Sequence, residues 1–263
     1  MKNRSLMFVP AKEKMLLKLG QMGADIYIVD LEDSIAEDEK EKALYDTVET
    51  LNKLRTECPI YIRLNKPRFQ DEVTRLEHFT KIGFMLPKFE DISEYQEMVQ
   101  IWVTHPIIAL IETPYGIINL PAIVKCEWID GLAFGAEDYT AMVNMENSSQ
   151  KLIYQKSRII TYAKAFGKKV FDTPSFSISD EKRIREEAHD AVTLGFDGKL
   201  AIHPKQIPVI NSEFSSVDIE YMKTIVTAYE QQDDAVFMFD GKPYEKMHIA
   251  HFKRIIKENG GIE

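Results

Sequence analysis

The 263-residue chain has little cysteine and no long apolar run. Its two cysteines, Cys58 and Cys126, stand apart and form no Cys-x-x-Cys pair, so neither a disulfide framework nor a zinc site is expected. No stretch approaches the roughly 20 apolar residues of a membrane span. The short apolar run at residues 6–9 is interrupted by Pro10 before it could form the core of a signal peptide. These absences predict a cytoplasmic protein that does not enter a membrane.

Positive charge is also scarce, because 33 Lys and Arg stand against 42 Asp and Glu, for a net charge of −9. Such a balance argues against a general surface for nucleic acid or for anionic membranes. No glycine-rich dinucleotide or P-loop fingerprint follows an apolar segment, which argues against a nucleotide-binding sheet. With 44% hydrophobic residues, the chain can bury one large core.

The chain does contain eight short segments of nearly continuous apolar character, which is typical of parallel strands covered on both faces. They are residues 5–9, 26–31, 60–64, 83–86, 107–111, 131–134, 169–171 and 199–202. Helical periodicity fills most of the gaps, at residues 12–22, 38–56, 92–102, 114–125, 150–166 and 179–194. The alternation predicts a (β/α)₈ TIM barrel over residues 1–207, with an open doubly wound sheet as the alternative.

Residues 208–263 do not repeat this unit. Their pattern predicts a helix at 217–232, a short strand at 236–240 and a terminal helix at 246–257. We therefore expect a small C-terminal helical extension that covers the active site or reaches a neighbouring subunit.

Carboxylates follow three of the predicted strands, and the C-terminal ends of barrel strands converge on the face where active sites are built. The three sequences are Asp30-Leu31-Glu32-Asp33, Ile111-Glu112-Thr113 and Gly135-Ala136-Glu137-Asp138. Oxygen ligands without Cys or His suit Mg²⁺ or Mn²⁺. The pattern predicts a hard-metal enzyme in which Glu112 and Asp138 share one cation. The alternative for either residue is a helix cap or a loop carboxylate.

Arg63 lies inside an otherwise apolar strand, where its guanidinium could bind a carboxylate or an enolate oxygen with two aligned donors. The alternative is a structural ion pair with Glu32 or Asp33. These two carboxylates could also approach the metal or the substrate, and Asp33 could equally cap the helix that follows it. Lys88 could contact an anionic group at the barrel mouth or remain a solvated lysine.

Taken in order, these motifs resemble the citrate lyase β-subunit group of the HpcH/HpaI aldolase family. The matching segments are 4–10, 23–34, 62–65, 86–88, 110–116, 131–138 and 201–207, and they span almost the whole chain. The resemblance implies a Mg²⁺-dependent barrel enzyme that cleaves a carbon–carbon bond in a citryl-, citramalyl- or malyl-type thioester. Its products would be a keto acid, such as oxaloacetate or pyruvate, and an acyl thioester of CoA or an acyl carrier.

By position, the resemblance implies that Glu112 and Asp138 are metal ligands and that Arg63 binds the substrate. It also implies backbone N–H groups that hold the keto-acid carboxylate, around Gly135, Ala136 and Glu137. Members of this group commonly form trimers or hexamers, so a homo-oligomer is expected.

Two departures from the family pattern affect the prediction. The C-terminal segment reads Gly241-Lys242-Pro243-Tyr244-Glu245, with Glu245 where some members carry an aspartate general base. Glu245 is therefore either the catalytic base or a surface charge. The chain is also shorter than a citrate lyase β-subunit, so strict citryl-thioester specificity is not implied. The alternatives are an aldolase for free hydroxy-keto acids and a non-catalytic subunit that binds a keto acid.

Overall fold

The computed structural model describes residues 3–148, 151–215, 219–232 and 236–258. Eight parallel strands form a closed barrel in sequence order, as predicted, and β1 pairs with both β2 and β8. The strands are β1 (Ser5–Pro10), β2 (Ile26–Asp30), β3 (Ile60–Arg63), β4 (Ile82–Leu86), β5 (Ile107–Ile111), β6 (Gly131–Phe134), β7 (Lys169–Asp172) and β8 (Gly198–Ala201). Closure of the barrel excludes the open doubly wound sheet.

Helices connect the strands around the outside of the barrel. They are α1 (Glu13–Leu16), α2 (Lys40–Lys53), α3 (Phe69–Leu76), α4 (Val99–Trp102), α5 (Pro114–Ile123), α6 (Ala136–Met142), α7 (Ile153–Ala165), α8 (Glu181–Leu194) and α9 (Gln206–Ser215). Short 3₁₀ turns, Glu37–Glu39 and Ile92–Met98, precede α2 and α4. Residue 150, where the predicted helix 150–166 begins, lies outside the described residues.

Both faces of each strand are buried, which explains the continuous apolar segments. In β2, Ile28 belongs to the cluster inside the barrel, whereas Tyr27 and Val29 pack in the layer between the strands and the helices. The interior cluster also includes Leu110 and Leu200. These inward-facing side chains fill the barrel interior beneath the residues at the strand ends.

The chain divides into two compact units after Phe214, rather than after Ile207 as predicted. The predicted boundary was too early because α9, which periodicity did not reveal, places Ile207 and Ile210 in the barrel core. None of the described helices is long and apolar enough to cross a membrane.

The second unit consists of α10 (Ile219–Glu230), β9 (Val236–Phe239), β10 (Lys242–Glu245) and α11 (Lys246–Glu258). β9 and β10 form an antiparallel hairpin whose turn residues, Asp240 and Gly241, both have positive φ, as a tight hairpin turn requires. The predicted helix 217–232 begins with two residues that lie outside the described ones. The proposed position of this unit over an active site stays a prediction.

Candidate active site

A cavity of about 380 Å³ lies at the C-terminal ends of the barrel strands. Its lining includes most of the site residues predicted from the sequence: Asp33, Arg63, Glu112, Gly135, Ala136, Glu137 and Asp138. Glu32 is not part of the lining, but it contacts both Arg63 and Lys88. The strand-end motifs therefore do converge on one cavity, as their positions in the sequence predicted.

Arg63 is buried beside this cavity and faces three carboxylates. Its Nε and Nη2 donate to the two oxygens of Asp30 over 2.7 and 2.8 Å. Its Nη1 lies 3.2 Å from Glu32 Oε2 and 3.1 Å from Asp33 Oδ2. The predicted structural ion pair with Glu32 or Asp33 is thus present with both residues, and the strongest pairing is with Asp30.

The role of Asp30 was missed, although the residue belongs to a motif that the sequence singled out. The signal that would have found it is register, because Asp30 at the end of β2 pairs with Arg63 at the end of β3. Burial opposes ionisation of Asp30, but Arg63 and the N–H of Glu32 outweigh it and lower the pKa of this carboxyl. Asp30 also accepts from the N–H of Ser34. The helical turn that follows, Glu37–Glu39, has Ala36 at its N-cap and no side-chain cap, so the alternative in which Asp33 caps this helix was wrong.

Glu112 follows β5 and is only 3% exposed. Thr113, not Glu112, caps α5 by accepting from the N–H of Gly116, so the capping alternative for Glu112 was wrong. Burial, and then the negative charges of Glu32 and Asp138, raise the pKa of Glu112 to about 8. A Cβ atom at position 135 would collide with the Glu112 carboxylate, so the turn after β6 can approach this residue only with glycine.

Lys88 connects three of these carboxylates, a role for which the sequence left two readings open. Its N–H donates to Glu112 Oε1 over 2.8 Å, and its Nζ lies 2.8 Å from Glu32 Oε1 and 3.8 Å from Asp138 Oδ2. Its φ is +46°, a left-handed conformation that is uncommon for lysine. Backbone strain of this kind is concentrated at functional sites, which supports the reading of Lys88 as a site residue.

The backbone cradle predicted around Gly135 is only partly available. The N–H of Gly135 donates to Ile111 O over 3.0 Å, and the N–H of Ala136 donates to Thr173 Oγ1 over 3.2 Å. Glu137 and Asp138 occupy the first turn of α6, where N–H groups have no partner within the helix. Of the three predicted residues, Glu137 is therefore the one whose N–H is suited to a carboxylate, while its side chain accepts from Asn147 over 2.7 Å.

Thr173 is itself held by a buried charge cluster behind the cavity. Lys199 Nζ donates to the carbonyl oxygen of Thr173 over 2.6 Å and to Asp172 Oδ2 over 2.7 Å. Lys156 Nζ lies 2.8 Å from the other oxygen of Asp172, and all three charged side chains are at most 2% exposed. The cluster ties the end of β7, through Thr173, to the first turn of α6.

The residues present fit a hard divalent cation, although they do not enclose one. No group of three Asp, Glu, His or Cys side chains able to hold a metal occurs among the described residues. Mg²⁺ is commonly bound by one or two carboxylates, with water and substrate supplying the other ligands. Burial raises the pKa of Glu32 as well as that of Glu112, so their ionised forms are disfavoured unless a cation offsets the charge. Glu112 and Asp138 remain the candidates for this role.

Glu245 belongs to the second compact unit, where it is the last residue of β10 and is exposed. Its N–H donates to His248 Nδ1 over 3.0 Å at the start of α11. Its role as a catalytic base stays a prediction.

Known proteins resemble this chain along nearly its whole length. The family model described as HpcH/HpaI aldolase/citrate lyase matches residues 4–204. A citrate lyase subunit beta of Leuconostoc mesenteroides subsp. cremoris is 27% identical over 97% of this chain and 92% of its own. A mitochondrial citramalyl-CoA lyase of Rattus norvegicus is 27% identical over 96% of this chain and 85% of its own. A solved structure of CitE from Mycobacterium tuberculosis, in complex with magnesium, acetoacetate and coenzyme A, is 26% identical, with a TM-score of 0.81 over 98% of both chains.

Proposed function

The chain belongs to the HpcH/HpaI aldolase/citrate lyase family and is a carbon–carbon lyase, and we propose that it cleaves a 3-hydroxy-3-carboxyacyl thioester with the help of Mg²⁺. The observation that carries the proposal is the cavity at the strand ends, where Glu112 and Asp138 stand together with Arg63. A keto acid and an acyl thioester would be the products, and CoA or an acyl carrier would hold the acyl group.

The reaction balances without an oxidant or a reductant. In a substrate R–C(OH)(COO⁻)–CH₂–CO–SX, the hydroxyl proton passes to a base and its oxygen forms the keto group of R–CO–COO⁻. The bond between the hydroxyl-bearing carbon and the CH₂ carbon breaks, and its electron pair remains on the acyl fragment as an enolate. Protonation of that enolate gives CH₃–CO–SX. The enzyme must therefore hold a carboxylate, accept one proton and stabilise an oxyanion.

Glu112 and Asp138 would hold the Mg²⁺ ion, which when bound supplies Lewis-acid polarisation of the substrate's hydroxyl and carboxylate oxygens. Mn²⁺ has the same preference for oxygen ligands and could replace it. Arg63 would stabilise negative charge on the carboxylate or on the enolate, since its position is fixed by Asp30. The N–H of Glu137 would orient the keto-acid carboxylate. Glu245 is the proposed base.

The relatives support this assignment by what their names state. The Rattus norvegicus relative acts on citramalyl-CoA, and the CitE structure contains magnesium and coenzyme A. We propose the same cofactor and a CoA-type thioester for this chain. A homotrimer or hexamer in the cytoplasm is proposed with them.

A substrate panel combined with one ligand variant tests the proposal. At least one of citryl-, citramalyl- and malyl-CoA should be cleaved with Mg²⁺, and EDTA should abolish the cleavage. Glu112→Gln should lower turnover by at least about 100-fold, the scale lost when electrostatic stabilisation of a transition state is removed. Glu127→Gln serves as the matched control, because Glu127 is exposed and precedes β6 at the opposite end of the barrel.

Two outcomes would contradict the proposal. Full activity in EDTA or in Glu112→Gln would remove the metal from the mechanism. Cleavage of free hydroxy-keto acids, without cleavage of any thioester, would assign the chain to the aldolase alternative instead.

A further inference from the structure

The segment 173–177, which follows β7, borders two cavities. Thr173, Pro174 and Phe176 line the active-site cavity, and the same three residues line a second cavity of about 320 Å³. Phe176 is 53% exposed, whereas the neighbouring Ser175 is 1% exposed. Because two cavities border it, packing leaves this segment room to move, and hydrogen bonds are needed to fix its position.

Gln206, the first residue of α9, is fully buried and supplies these hydrogen bonds. Its Nε2 donates to Ser175 O over 2.7 Å and to Ser177 O over 2.9 Å. Its Oε1 accepts from the N–H groups of Ile202 and His203 over 2.8 and 3.1 Å. The orientation of the amide is determined by these neighbours, since two carbonyl groups must face its NH₂ and two N–H groups must face its oxygen.

The amide of Gln206 thus joins the segments after β7 and β8, and it uses both of its donors and both acceptor sites of its oxygen to do so. Neither segment belongs to a strand or a helix, so their buried backbone groups need partners from elsewhere. Ser175 and Ser177 flank Phe176. Gln206 therefore fixes the backbone on both sides of this exposed ring.

A half-exposed aromatic ring on a fixed backbone is suited to contact a ligand. Phe176 borders the cavity that also contains Arg63, Glu112 and Asp138. Covering its ring with the hydrocarbon part of a ligand is favourable. Because Gln206 already fixes the backbone at this position, binding need not order the segment, which lowers the cost of association.

We propose that Phe176 contacts the substrate in the active site and that Gln206 is its positioning residue. The inference rests on the proposed function and adds two residues to the same site. Phe176 covers the bound thioester from the side of β7. Gln206 does not touch the substrate and acts through the segment 173–177.

Steady-state kinetics of the full-length protein test this inference, with whichever of citryl-, citramalyl- and malyl-CoA the wild type cleaves. Phe176→Ala should raise KM by about tenfold or more, the scale expected when burial of one aromatic ring is lost. Gln206→Glu replaces the NH₂ group with oxygen and so removes both donors to the segment. It should raise KM to a similar extent, and the uncharged Gln206→Met should do the same. The affinity for Mn²⁺ should not change, because Lys199 still holds Thr173.

Asn211→Asp is the matched control for Gln206→Glu. Asn211 lies in the same helix, and its Nδ2 also donates to a backbone carbonyl, Gly23 O, over 3.1 Å. Gly23 precedes β2, at the end of the barrel opposite the active-site cavity. The same change from amide to carboxylate should therefore leave KM unchanged.

A double-mutant cycle shows whether Gln206 acts through Phe176. Once the ring has been removed, displacement of the segment has little further effect. The variant with both Gln206→Glu and Phe176→Ala should therefore have about the KM of Phe176→Ala alone. Independent effects would instead multiply to about 100-fold.

Several outcomes would overturn the inference while leaving the lyase assignment in place. These are a wild-type KM in Phe176→Ala, multiplied effects in the double variant, or an equal rise of KM in Asn211→Asp. Circular dichroism checks folding, and if neither Gln206 variant folds, Gln206 is a folding determinant and its positioning role is overturned. If the wild type cleaves no thioester, the proposed function fails and the inference fails with it.

Discussion

The position of Lys88 predicts that removing its charge raises the affinity for a divalent cation, whereas most mutations in a binding site lower affinity. Its ammonium lies 3.8 Å from Asp138 Oδ2 and 2.8 Å from Glu32 Oε1. Although burial opposes its charge, Glu32, Asp33 and Glu112 raise the pKa of Lys88, so it stays cationic at neutral pH. A positive charge at this place repels a divalent cation bound to Asp138 and Glu112. Lys88→Met should therefore bind Mg²⁺ more tightly than the wild type.

The size of the effect follows from the distance and the exposure. Two unit charges about 4 Å apart interact by roughly 1 kcal/mol in water and roughly 4 kcal/mol in partly buried surroundings. The Lys88 side chain is 32% exposed, which favours the lower half of this range. About 1–2 kcal/mol corresponds to roughly 5- to 30-fold tighter binding.

The assay is a titration with Mn²⁺, followed by the paramagnetic resonance of the free ion, and Mg²⁺ is then measured by competition. Lys164→Met is the matched control, because Lys164 is 40% exposed and pairs with Asp197, which precedes β8 at the end of the barrel opposite the cavity. Lys88→Asn separates charge from backbone strain, since asparagine tolerates positive φ but also lacks the ammonium. Unchanged or weaker metal binding in both Lys88 variants would refute this reasoning.

Three further predictions concern stability and catalysis. Arg63→Lys should lose activity, and wild-type turnover would contradict this. It should also lower the free energy of unfolding in urea by about 3–5 kcal/mol, because a lysine leaves Asp30 poorly paired in a buried site. Burial raises the pKa of Glu72 from 4.5 to about 7, so its stabilising contribution is complete below pH 4.5 and is lost as the pH rises through 7. Glu72→Gln should flatten the fall in unfolding free energy over this range by about 3 kcal/mol, and an unchanged slope would exclude Glu72 as its source. Glu245→Gln should keep keto-acid binding but reduce turnover by roughly 10²- to 10⁴-fold if Glu245 is the base, and Glu245→Asp should retain activity; full turnover in Glu245→Gln would end that assignment.

The barrel strands were predictable because each is buried on two faces. The segment 107–111, for example, is apolar at every position and coincides with β5. Short helices were less visible, because α6 has only seven residues and begins at an acidic motif that resembles a loop. The predicted helix 12–22 was too long, since α1 ends at Leu16 and Gly20 adopts φ +81°.

The sequence predicted which residues lie at the strand ends around the site, but it did not predict which of these residues contact one another. Position along the chain identified Arg63, Glu112 and Asp138 as lining one cavity. It did not show that Asp30 holds Arg63, because that contact depends on the register of β2 against β3. Nor did it show that Thr173 occupies the N–H of Ala136, since these residues are far apart in the sequence. Contacts between residues on different strands can be identified only from the three-dimensional structure.

The buried cluster of Lys156, Asp172 and Lys199 has a consequence for attempts to engineer this enzyme. A library that varies only residues within reach of a ligand would leave these three untouched, yet through Thr173 they fix where α6 starts and hence where Asp138 stands. Substitutions on the outer, helix-covered side of the barrel can therefore shift the residues at the barrel mouth, even though the substituted residues do not line the cavity. Compensatory mutations for a redesigned pocket are best sought in this layer as well as around the cavity.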